Sequence, residues 1–373
     1  MAIVFTKSLA TDKLLNAYNN NVVRFYQDDI DRTALKCIIE VDGNELVLYP
    51  GPTGNFFYNL KDIITAIINT NNFADDLDLT TNDYFDWTNK VYKNTDIVFT
   101  IHLDDATNVT TTVDTHWLIS YTQIDEFKRT SIPFNTDIFS VIPLHPQYDL
   151  NEFKAKLYMW NGYPFDITIY SGASNANLSI RNTFRGNFTD LNIVDPPKVL
   201  RYCFSDGEEL SSLCGIGNNN ISIEYFFDLN LQVIQPDCKQ QNYIKWMNRY
   251  GGWSYWLFDR GKKSKSIKNI GELNNDFNNV EDTVSPIVSM GKTAENSLSL
   301  EFTTSNVNEN LILEDLFESN KIYLYVGVPG TASFNDFIEA GIKSSSVIVQ
   351  NIKRDNIKFD FDLELPKLTT RTS

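Results

Sequence analysis

Three histidines have the widest chemical scope in this sequence, because imidazole can accept a proton or bind a metal near neutral pH. They occur as His102 in IHLDD, His116 in DTHW and His145 in PLHPQ. No second histidine or cysteine lies at the spacing of a zinc site. His102 with Asp104 and Asp105 could act as a base with an orienting acid, but no serine or cysteine nucleophile motif accompanies them. We therefore predict that His102 lies at the end of a strand and that the protein has no catalytic residues.

Two acidic clusters offer carboxylate oxygens, which are the ligands that Ca²⁺ prefers. The clusters are Asp28, Asp29 and Asp31, and Asp75, Asp76 and Asp78. Neither contains the loop glycine or the terminal glutamate of a known calcium loop. We predict no bound metal and no cofactor, and calcium stays open as an alternative. A pair of glycosidase carboxylates remote in sequence would leave no local motif, so it stays open as well.

The cysteines are too few and too scattered for a disulfide framework. They are Cys37, Cys203, Cys214 and Cys238, and no two have the CxxC spacing. The prediction is reduced structural thiols. A bond between Cys203 and Cys214 across a loop stays open.

Length and charge limit the function classes. A chain of 373 residues with a formal net charge of -16 is expected to form two or three domains. This acidity argues against a nucleic-acid surface, which needs clustered lysine and arginine to neutralise phosphates. No apolar run is long enough to cross a membrane as a helix, and no export signal precedes the first strand pattern.

One basic cluster stands out against this acidic background. It follows the most aromatic segment of the chain and comprises Arg260, Lys262, Lys263, Lys265 and Lys268. The glycine and serine residues between these side chains are typical of a hairpin loop. Two interpretations stay open: a solvated loop, or an electrostatic contact with an acidic neighbouring subunit.

The segment Tyr243–Phe258, YIKWMNRYGGWSYWLF, carries three of the six tryptophans. Tyr243, Trp246, Met247 and Tyr250 have the i, i+3, i+4, i+7 spacing of a helix face. Gly251 would end that helix in a left-handed turn, and Asp237 would be its N-cap. Beyond Gly252 the period changes to two, which predicts a strand that is apolar on both faces.

A strand with two apolar faces must have both faces covered by other residues, and this can be achieved in two ways. The aromatic residues form a core under a sheet, or one face binds a partner, since tryptophan, tyrosine and arginine dominate interface anchors. The interface candidates are Trp246, Tyr250, Trp253, Tyr255, Trp256, Arg260, Lys262, Lys263 and Lys265.

Alternating apolar residues elsewhere predict a mainly β fold with a few short helices, built as several β-sandwich-like modules. Asp42-Gly43 predicts a hairpin turn, and Leu60 to Ile68 a helix laid on a sheet. Further predictions are a helix near residues 310–319, a strand over 346–352, and a final strand with Lys358, Asp360, Asp362 and Glu364 on its polar face. The expected organisation is an N-terminal arm over residues 1–21, a β domain with one helix over 22–127, a sandwich of the immunoglobulin or fibronectin type over 128–200, and a β-rich C-terminal domain over 201–373.

A resemblance adds to these patterns. The chain carries Trp-x-x-x-x-Gly-Gly-x-x-Tyr-Trp within the aromatic segment, followed by NNDFNNVEDTVSPIVSMGK, LILEDLFESNKIYLYV and SSSVIVQNIKRDNIKFDFDLELPK. Together these segments, over residues 200–373, resemble the C-terminal half of structural proteins of tailed phages that infect Bacteroidetes, including crAss-like relatives. YPGPTGNFFYNLKDII and NGYPFDITIYS add support nearer the N-terminus.

The resemblance implies a non-enzymatic virion protein: a tail-tip, baseplate or neck adaptor that assembles with itself into a ring or multimer and with other tail or neck proteins. The alternative is a tail accessory protein that binds a host surface glycan or receptor. In that case exposed aromatic rings would stack on sugars.

Overall fold

The structure, a computed structural model, describes residues 1–70, 72–81, 83–122, 137–149, 152–172, 177–193, 197–223, 226–237, 242–274, 287–304, 307–332, 334–343 and 357–366. Over these ranges the chain is mainly β, with several sheets that form β-sandwich-like modules. The predicted fold class is therefore confirmed. The predicted strand over 346–352 and Cys238 lie outside the described residues. No described helix is long and apolar enough to span a membrane.

Two sheets pack face to face in the N-terminal part of the chain. The three-stranded sheet consists, in spatial order, of β1 (Ile3–Lys7), β3 (Val22–Gln27) and β6 (Phe56–Asn59). The five-stranded sheet consists, in spatial order, of β2 (Leu14–Asn16), β9 (Asn108–Leu118), β8 (Tyr92–Leu103), β4 (Ala34–Val41) and β5 (Asn44–Leu48). Phe25 of the first sheet meets Phe99 of the second with ring centroids 5.1 Å apart. The interface between these two sheets is therefore an aromatic core.

Local sequence signals in this part are confirmed. Asp42 and Gly43 both have positive φ, at 51° and 77°, as a two-residue hairpin turn between β4 and β5 requires. The predicted helix is α1 (Lys61–Ile68), which buries Ile64 and Ile68. A second, four-residue helix, α2 (Thr88–Val91), precedes β8.

Two further sheets occupy the middle of the chain. The four-stranded sheet consists, in spatial order, of β10 (Val141–Pro143), β13 (Pro164–Ser171), β16 (Lys198–Asp206) and β7 (Tyr84–Asp86). The six-stranded sheet consists, in spatial order, of β11 (Tyr148–Asp149), β12 (Lys154–Trp160), β18 (Phe227–Ile234), β17 (Gly217–Ile223), β14 (Asn177–Asn182) and β15 (Phe188–Asn192). Both sheets take strands from either side of the predicted boundaries, and β16 itself spans residues 200 and 201.

The C-terminal part forms a seven-stranded sheet. In spatial order it consists of β20 (Trp253–Phe258), β19 (Asn242–Met247), β23 (Ile322–Tyr325), β24 (Phe337–Ile342), β25 (Ile357–Glu364), β22 (Ile287–Thr304) and β21 (Arg260–Asn274). Only Asp259 separates β20 from β21 in the chain, although the two strands lie at opposite ends of the sheet. The sheet therefore curls back on itself, and Phe258 contacts Phe302 and Phe361.

The predicted helix near residues 310–319 is confirmed as α3 (Val307–Glu318), which buries Leu313 and Leu316. Asp315 of this helix accepts hydrogen bonds from the backbone N–H and Nε of Arg249, the latter at 2.9 Å. Because Arg249 lies in the turn between β19 and β20, this contact attaches α3 to the hairpin that these two strands form.

Three sequence predictions need correction. Residues 243–250 do not form a helix, because Tyr243 to Met247 lie in β19, which pairs with β20. Gly251 does have positive φ, at 84°, but it lies in the turn of this hairpin rather than at a helix end, and β19 stands in place of the helix that Asp237 was expected to cap. The basic cluster is not a loop but most of strand β21. The predicted N-terminal arm contains β1 and β2, which pair with β3 and β9 respectively.

Strand β20 lies at the centre of the C-terminal core, and all six of its residues are buried. On one face, Tyr255 packs against Phe165 of β13, with ring centroids 5.2 Å apart. On the other face, Trp256 meets Tyr158 and Trp160 of β12 at 5.7 and 5.2 Å. The prediction of a strand covered on both faces is confirmed, and the covers are the four-stranded and six-stranded sheets.

Candidate assembly surface

The hairpin of β21 and β22 extends beyond the rest of its sheet. The two strands pair from Arg260 opposite Glu301 out to Asn274 opposite Ile287. Strand β25 pairs with β22 only over Ser297 to Thr304. The remaining length of the hairpin, which we call the outer hairpin (residues 265–274 and 287–296), therefore projects past β25.

The outer hairpin carries apolar side chains that are about half exposed. The exposed ones are Ile267 (57%), Ile270 (54%), Leu273 (52%), Ile287 (51%) and Met290 (46%). A two-stranded hairpin is marginally stable when nothing covers it. Exposed apolar residues gathered in one projection mark an interaction site more often than single ones scattered over a surface do. The outer hairpin is therefore the strongest candidate for an assembly surface among the described residues.

At its base the hairpin presents charge in two parallel columns on one face of the sheet. Residues opposite one another on adjacent strands share a face. Across β21, β22 and β25 the rows on this face are Arg260, Glu301 and Asp360; Lys262, Ser299 and Asp362; and Ser264, Ser297 and Glu364. We call Arg260 and Lys262 the basic column, and Asp360, Asp362 and Glu364 the acidic column. Neighbouring strands lie about 4.8 Å apart, so about 10 Å separates the columns.

Hydrogen bonds confirm that these side chains share one face. Ser264 and Ser297 join their hydroxyls at 2.6 Å, and the Ser299 hydroxyl donates to the carboxylate of Asp362. Lys358 lies between Glu301 and Asp360, with its Nζ 3.2 and 3.5 Å from their carboxylates. Lys358 therefore neutralises part of the negative charge on this face.

The structure divides the predicted interface candidates into two groups. The five aromatic ones are in the interior: Trp246, Tyr250, Trp253, Tyr255 and Trp256 are at most 8% exposed. The four basic ones, Arg260, Lys262, Lys263 and Lys265, are exposed on β21. This burial favours the core interpretation of the aromatic segment, and it leaves the basic strand as the accessible part of the predicted surface.

A buried ionic network lies behind this core, and the sequence analysis did not identify it. Arg201 donates to both carboxylate oxygens of Asp166 at 2.8 Å, and Nη1 also donates to Asp75 at 2.5 Å. Lys245 donates to the other oxygen of Asp75 at 2.6 Å, and the Tyr255 hydroxyl donates to Asp166. Two cations and two carboxylates therefore balance inside the protein.

Aromatic rings enclose this network. Arg201 lies 5.0 Å from the centre of the Trp87 ring, and Lys245 lies 4.0 Å from that of Phe337. Such cation–π contacts help to compensate for the lost hydration of the two charges. The network links two sheets and a loop, since Asp166 and Arg201 belong to the four-stranded sheet, Lys245 to the seven-stranded one, and Asp75 to a segment outside the strands.

Two opposing effects set the pKa values in this network: burial favours the neutral form of each group, and neighbouring opposite charges favour its charged form. Burial acts to raise the pKa of Asp75, but the charges of Arg201 and Lys245 outweigh burial and hold it well below its usual range. Burial lowers the pKa of Lys245, and the charge of Asp75 opposes that shift. Burial, followed by the charge of Asp166, raises the pKa of Tyr255 well above its usual value. Two cations pair with the carboxylate of Asp75, so this carboxylate has a structural role.

A local signal for this network existed in the sequence. Asp166, Arg201 and Lys245 are each a lone charge inside an apolar run, in PFDITIYS, KVLRYCF and YIKWM. A buried charge of this kind must be paired. The identity of the partner is not local, because the members are separated by up to 170 positions in the chain.

The histidines occupy separate positions. The Nδ1 of His116 lies 2.6 Å from the hydroxyl of Tyr92 in the interior. His145 is also buried, and burial lowers its pKa to about 3. His102 lies in β8, one residue before its end, close to the predicted position. Within the described residues no three His, Cys, Asp or Glu side chains are grouped as metal ligands.

Most of the aspartates that could have bound calcium have protein partners. Asp75 belongs to the buried network, Asp76 lies 2.8 Å from Nζ of Lys90, and Asp78 accepts from Asn335 at 3.1 Å. In the other cluster, Asp29 lies 3.4 Å from Nε of Arg32. These contacts orient the carboxylates toward protein donors and not toward a common centre.

The described cysteines are free thiols, as predicted. Cys37 and Cys203 are buried and Cys214 is half-buried. Burial raises the pKa of the Cys37 and Cys214 thiols to about 12. Burial also raises the pKa of Cys203. Thiols with raised pKa values are poor nucleophiles.

Comparisons with known proteins give only distant structural similarity. Neither a protein-family model nor a curated protein matches the sequence. The chain is similar to fibronectin(III)-like modules of Clostridium thermocellum CbhA, with 8% identity over 62% of this chain and 94% of that one, at a TM-score of 0.19. It is also similar to a 1.5-MDa bacterial ice-binding adhesin (6% identity, 98% of both chains, TM-score 0.19) and to a Ca²⁺-stabilized adhesin of an Antarctic bacterium (8%, 98% of both, TM-score 0.20). TM-scores this low carry no argument about function.

Proposed function

We propose that this protein is a structural component of a tailed-phage virion, a tail-tip, baseplate or neck adaptor. It acts without catalysis, assembles with copies of itself and contacts other tail or neck proteins. The sequence resemblance over residues 200–373 suggests this class. The observation that carries the proposal is the hairpin of β21 and β22, whose strand β21 is rich in lysine and whose outer part carries exposed apolar side chains.

Charge supports the same role. Strand β21 concentrates Arg260, Lys262, Lys263, Lys265 and Lys268, whereas the whole chain carries a formal net charge of -16. A basic ribbon on an acidic protein is complementary to other acidic subunits. Exposed ion pairs contribute only about 0 to 1 kcal/mol each, so these charges steer and orient the subunits while apolar burial supplies most of the affinity.

A glycan-binding accessory protein is the competing function. Sugar recognition of this kind uses exposed aromatic rings as stacking platforms. All six tryptophans of the sequence are at most 7% exposed: Trp87, Trp117, Trp160, Trp246, Trp253 and Trp256. The tryptophans therefore belong to the core, and the exposed rings are tyrosine and phenylalanine, such as Tyr49 (77%) and Phe184 (81%). We give preference to the assembly role.

The test is reversal of Lys262, Lys263 and Lys265 to glutamate in the phage, followed by quantitative mass spectrometry of purified particles. We expect the wild-type protein at a fixed copy number per particle. The triple variant should fold normally but enter particles poorly, and the defect should depend on salt concentration, because screening weakens surface electrostatics.

A matched control reverses Lys7, Lys36 and Lys154, which lie on β1, β4 and β12, and should leave incorporation unchanged. Two results would reject the proposal: absence of the wild-type protein from purified particles, or cleavage of host polysaccharide by the purified protein at a rate that one carboxylate substitution abolishes.

A further inference from the structure

We infer that two copies of this chain pair face to face through the basic and acidic columns, about a twofold axis that runs along β22. This inference rests on the proposed function, which it deepens by naming the partner surface and its symmetry. The occupant of the surface is a second copy of the same chain. The inference starts from the arrangement of the two columns, which lie on one face and flank β22.

The pattern is self-complementary. A twofold interface brings residue i of one subunit against residue j of the other, and j against i. Rotation about an axis along β22 exchanges the two sides of that strand and keeps the height of each residue along it. The basic column of one copy then lies over the acidic column of its partner, with Lys262 facing Asp362 and Arg260 facing Asp360 in both directions.

Other twofold arrangements of the same face place like charges together. An axis across the strands would set each basic column over the other basic column. Edge-to-edge pairing of β21 with its own copy would bring two lysine-rich strands to within about 4.8 Å, and charged edge strands are a common device against such pairing. Electrostatics therefore favours the axis along β22.

The middle of the contact suits close approach. Ser297 and Ser299 of β22 are half-buried and small, and they meet their own copies on the axis. Glu301 also lies on the axis, where its Lys358 partner balances it at 3.2 Å. The contact is polar, so we expect reversible association that weakens as salt concentration rises.

Charge-swap complementation of the full chain tests this inference, with sedimentation velocity over a concentration series as the readout. We expect wild-type protein to dimerise and Lys262→Glu and Asp362→Lys each to weaken association at least about tenfold, because each places like charges together twice. An equimolar mixture of the two variants should restore the dimer, since both crossed contacts then join opposite charges. Arg260→Glu with Asp360→Arg provides a second, independent pair if Asp362→Lys does not fold.

Lys154→Glu is the control, because Lys154 is exposed on β12, outside the sheet that carries the two columns, and should leave dimerisation unchanged. Three results would overturn the inference: wild-type protein that stays monomeric, Lys262→Glu that associates normally, or a mixture that fails to restore the dimer. A monomeric protein that is still present in purified particles would reject this contact and leave the proposed function intact. A protein that dimerises through this contact but is absent from purified particles would reject the proposed function and leave the contact intact.

Discussion

Arg201 and Asp166 form a two-bond ion pair in the interior, with Nε and Nη2 each 2.8 Å from a carboxylate oxygen and both side chains fully buried. They belong to adjacent strands, β16 and β13. The same guanidinium also reaches Asp75 in a segment far earlier in the chain. Because the Tyr255 hydroxyl of β20 donates to Asp166, this pair is one of the contacts that join the middle and C-terminal parts of the fold.

Removal of one partner should be costly. Among the described residues, Arg201→Met leaves Asp166 with only the Tyr255 hydroxyl as a polar side-chain partner and Asp75 with only Lys245. We therefore expect a loss of about 3 to 5 kcal/mol in the free energy of unfolding. Urea denaturation measures this. The control is Lys198→Met on the same strand, whose partner Asp86 is exposed, and it should cost at most about 1 kcal/mol. A loss no larger than that of the control would show that the network does not hold the fold.

The turn between β19 and β20 depends on two glycines for different reasons. Gly251 has φ of 84°, so Gly251→Val should cost at least about 1 to 2 kcal/mol. At Gly252 an added Cβ would lie 2.3 Å from the carbonyl oxygen of Leu144, so even Gly252→Ala should destabilise, by about 1 to 3 kcal/mol or more. Gly341→Ala, where nothing lies within 4 Å, is the control. Equal melting temperatures for the Gly251 and Gly341 variants would contradict the strain argument.

Trp253 should act on stability and not selectively on assembly. It is 2% exposed and contacts Tyr323 with ring centroids 5.7 Å apart. Trp253→Ala should therefore lower the unfolding free energy of the isolated protein by about 3 to 5 kcal/mol. Chemical denaturation of the monomer provides the measurement. A variant with normal monomer stability that fails only to assemble would return Trp253 to the interface.

His145 should make the fold sensitive to acid. Burial lowers its pKa from 6.5 to about 3, so the folded protein keeps this imidazole neutral while the unfolded chain takes up a proton below pH 6.5. The stability that depends on the neutral form is therefore complete above pH 6.5 and is lost as pH falls toward 3. One pKa unit corresponds to about 1.4 kcal/mol, so the full loss amounts to about 3 to 5 kcal/mol.

The test compares unfolding free energies of the wild type and His145→Gln between pH 7 and 4. The variant should be less stable at pH 7 and show a shallower decline. Parallel declines in the two proteins would show that other groups cause the acid sensitivity.

The sequence was sufficient to predict those elements whose residue pattern fits only one local structure. In β25, Phe359, Phe361 and Leu363 are buried and alternate with charged residues, so only a half-buried strand fits. Asp42-Gly43 likewise fits a tight hairpin turn. In both cases the deciding physics is local: side-chain alternation in a strand, and tolerance of positive φ.

Residues 243–247 show where local pattern fails. Tyr243, Ile244 and Trp246 are all 0% exposed, so the strand has no polar face to reveal its period of two. The apolar spacing then also fits a helix, and only pairing with β20 and β23 decides the structure. The partner strands come from elsewhere in the chain, and tertiary burial overrides the local spacing.

The sequence by itself determined the β-rich class, the strand after Gly252 and the final strand, the first and last helices, and the position of a basic cluster in an acidic chain. Tertiary structure alone decided that this cluster is a strand, that it shares a sheet face with the acids of β25, and that Asp75 joins Arg201 and Lys245 in the interior. The physical reason is the distance along the chain over which each kind of interaction acts. Backbone propensity and side-chain alternation act over a few residues, whereas strand pairing and charge compensation depend on which distant segments meet when the sheets close around a common core.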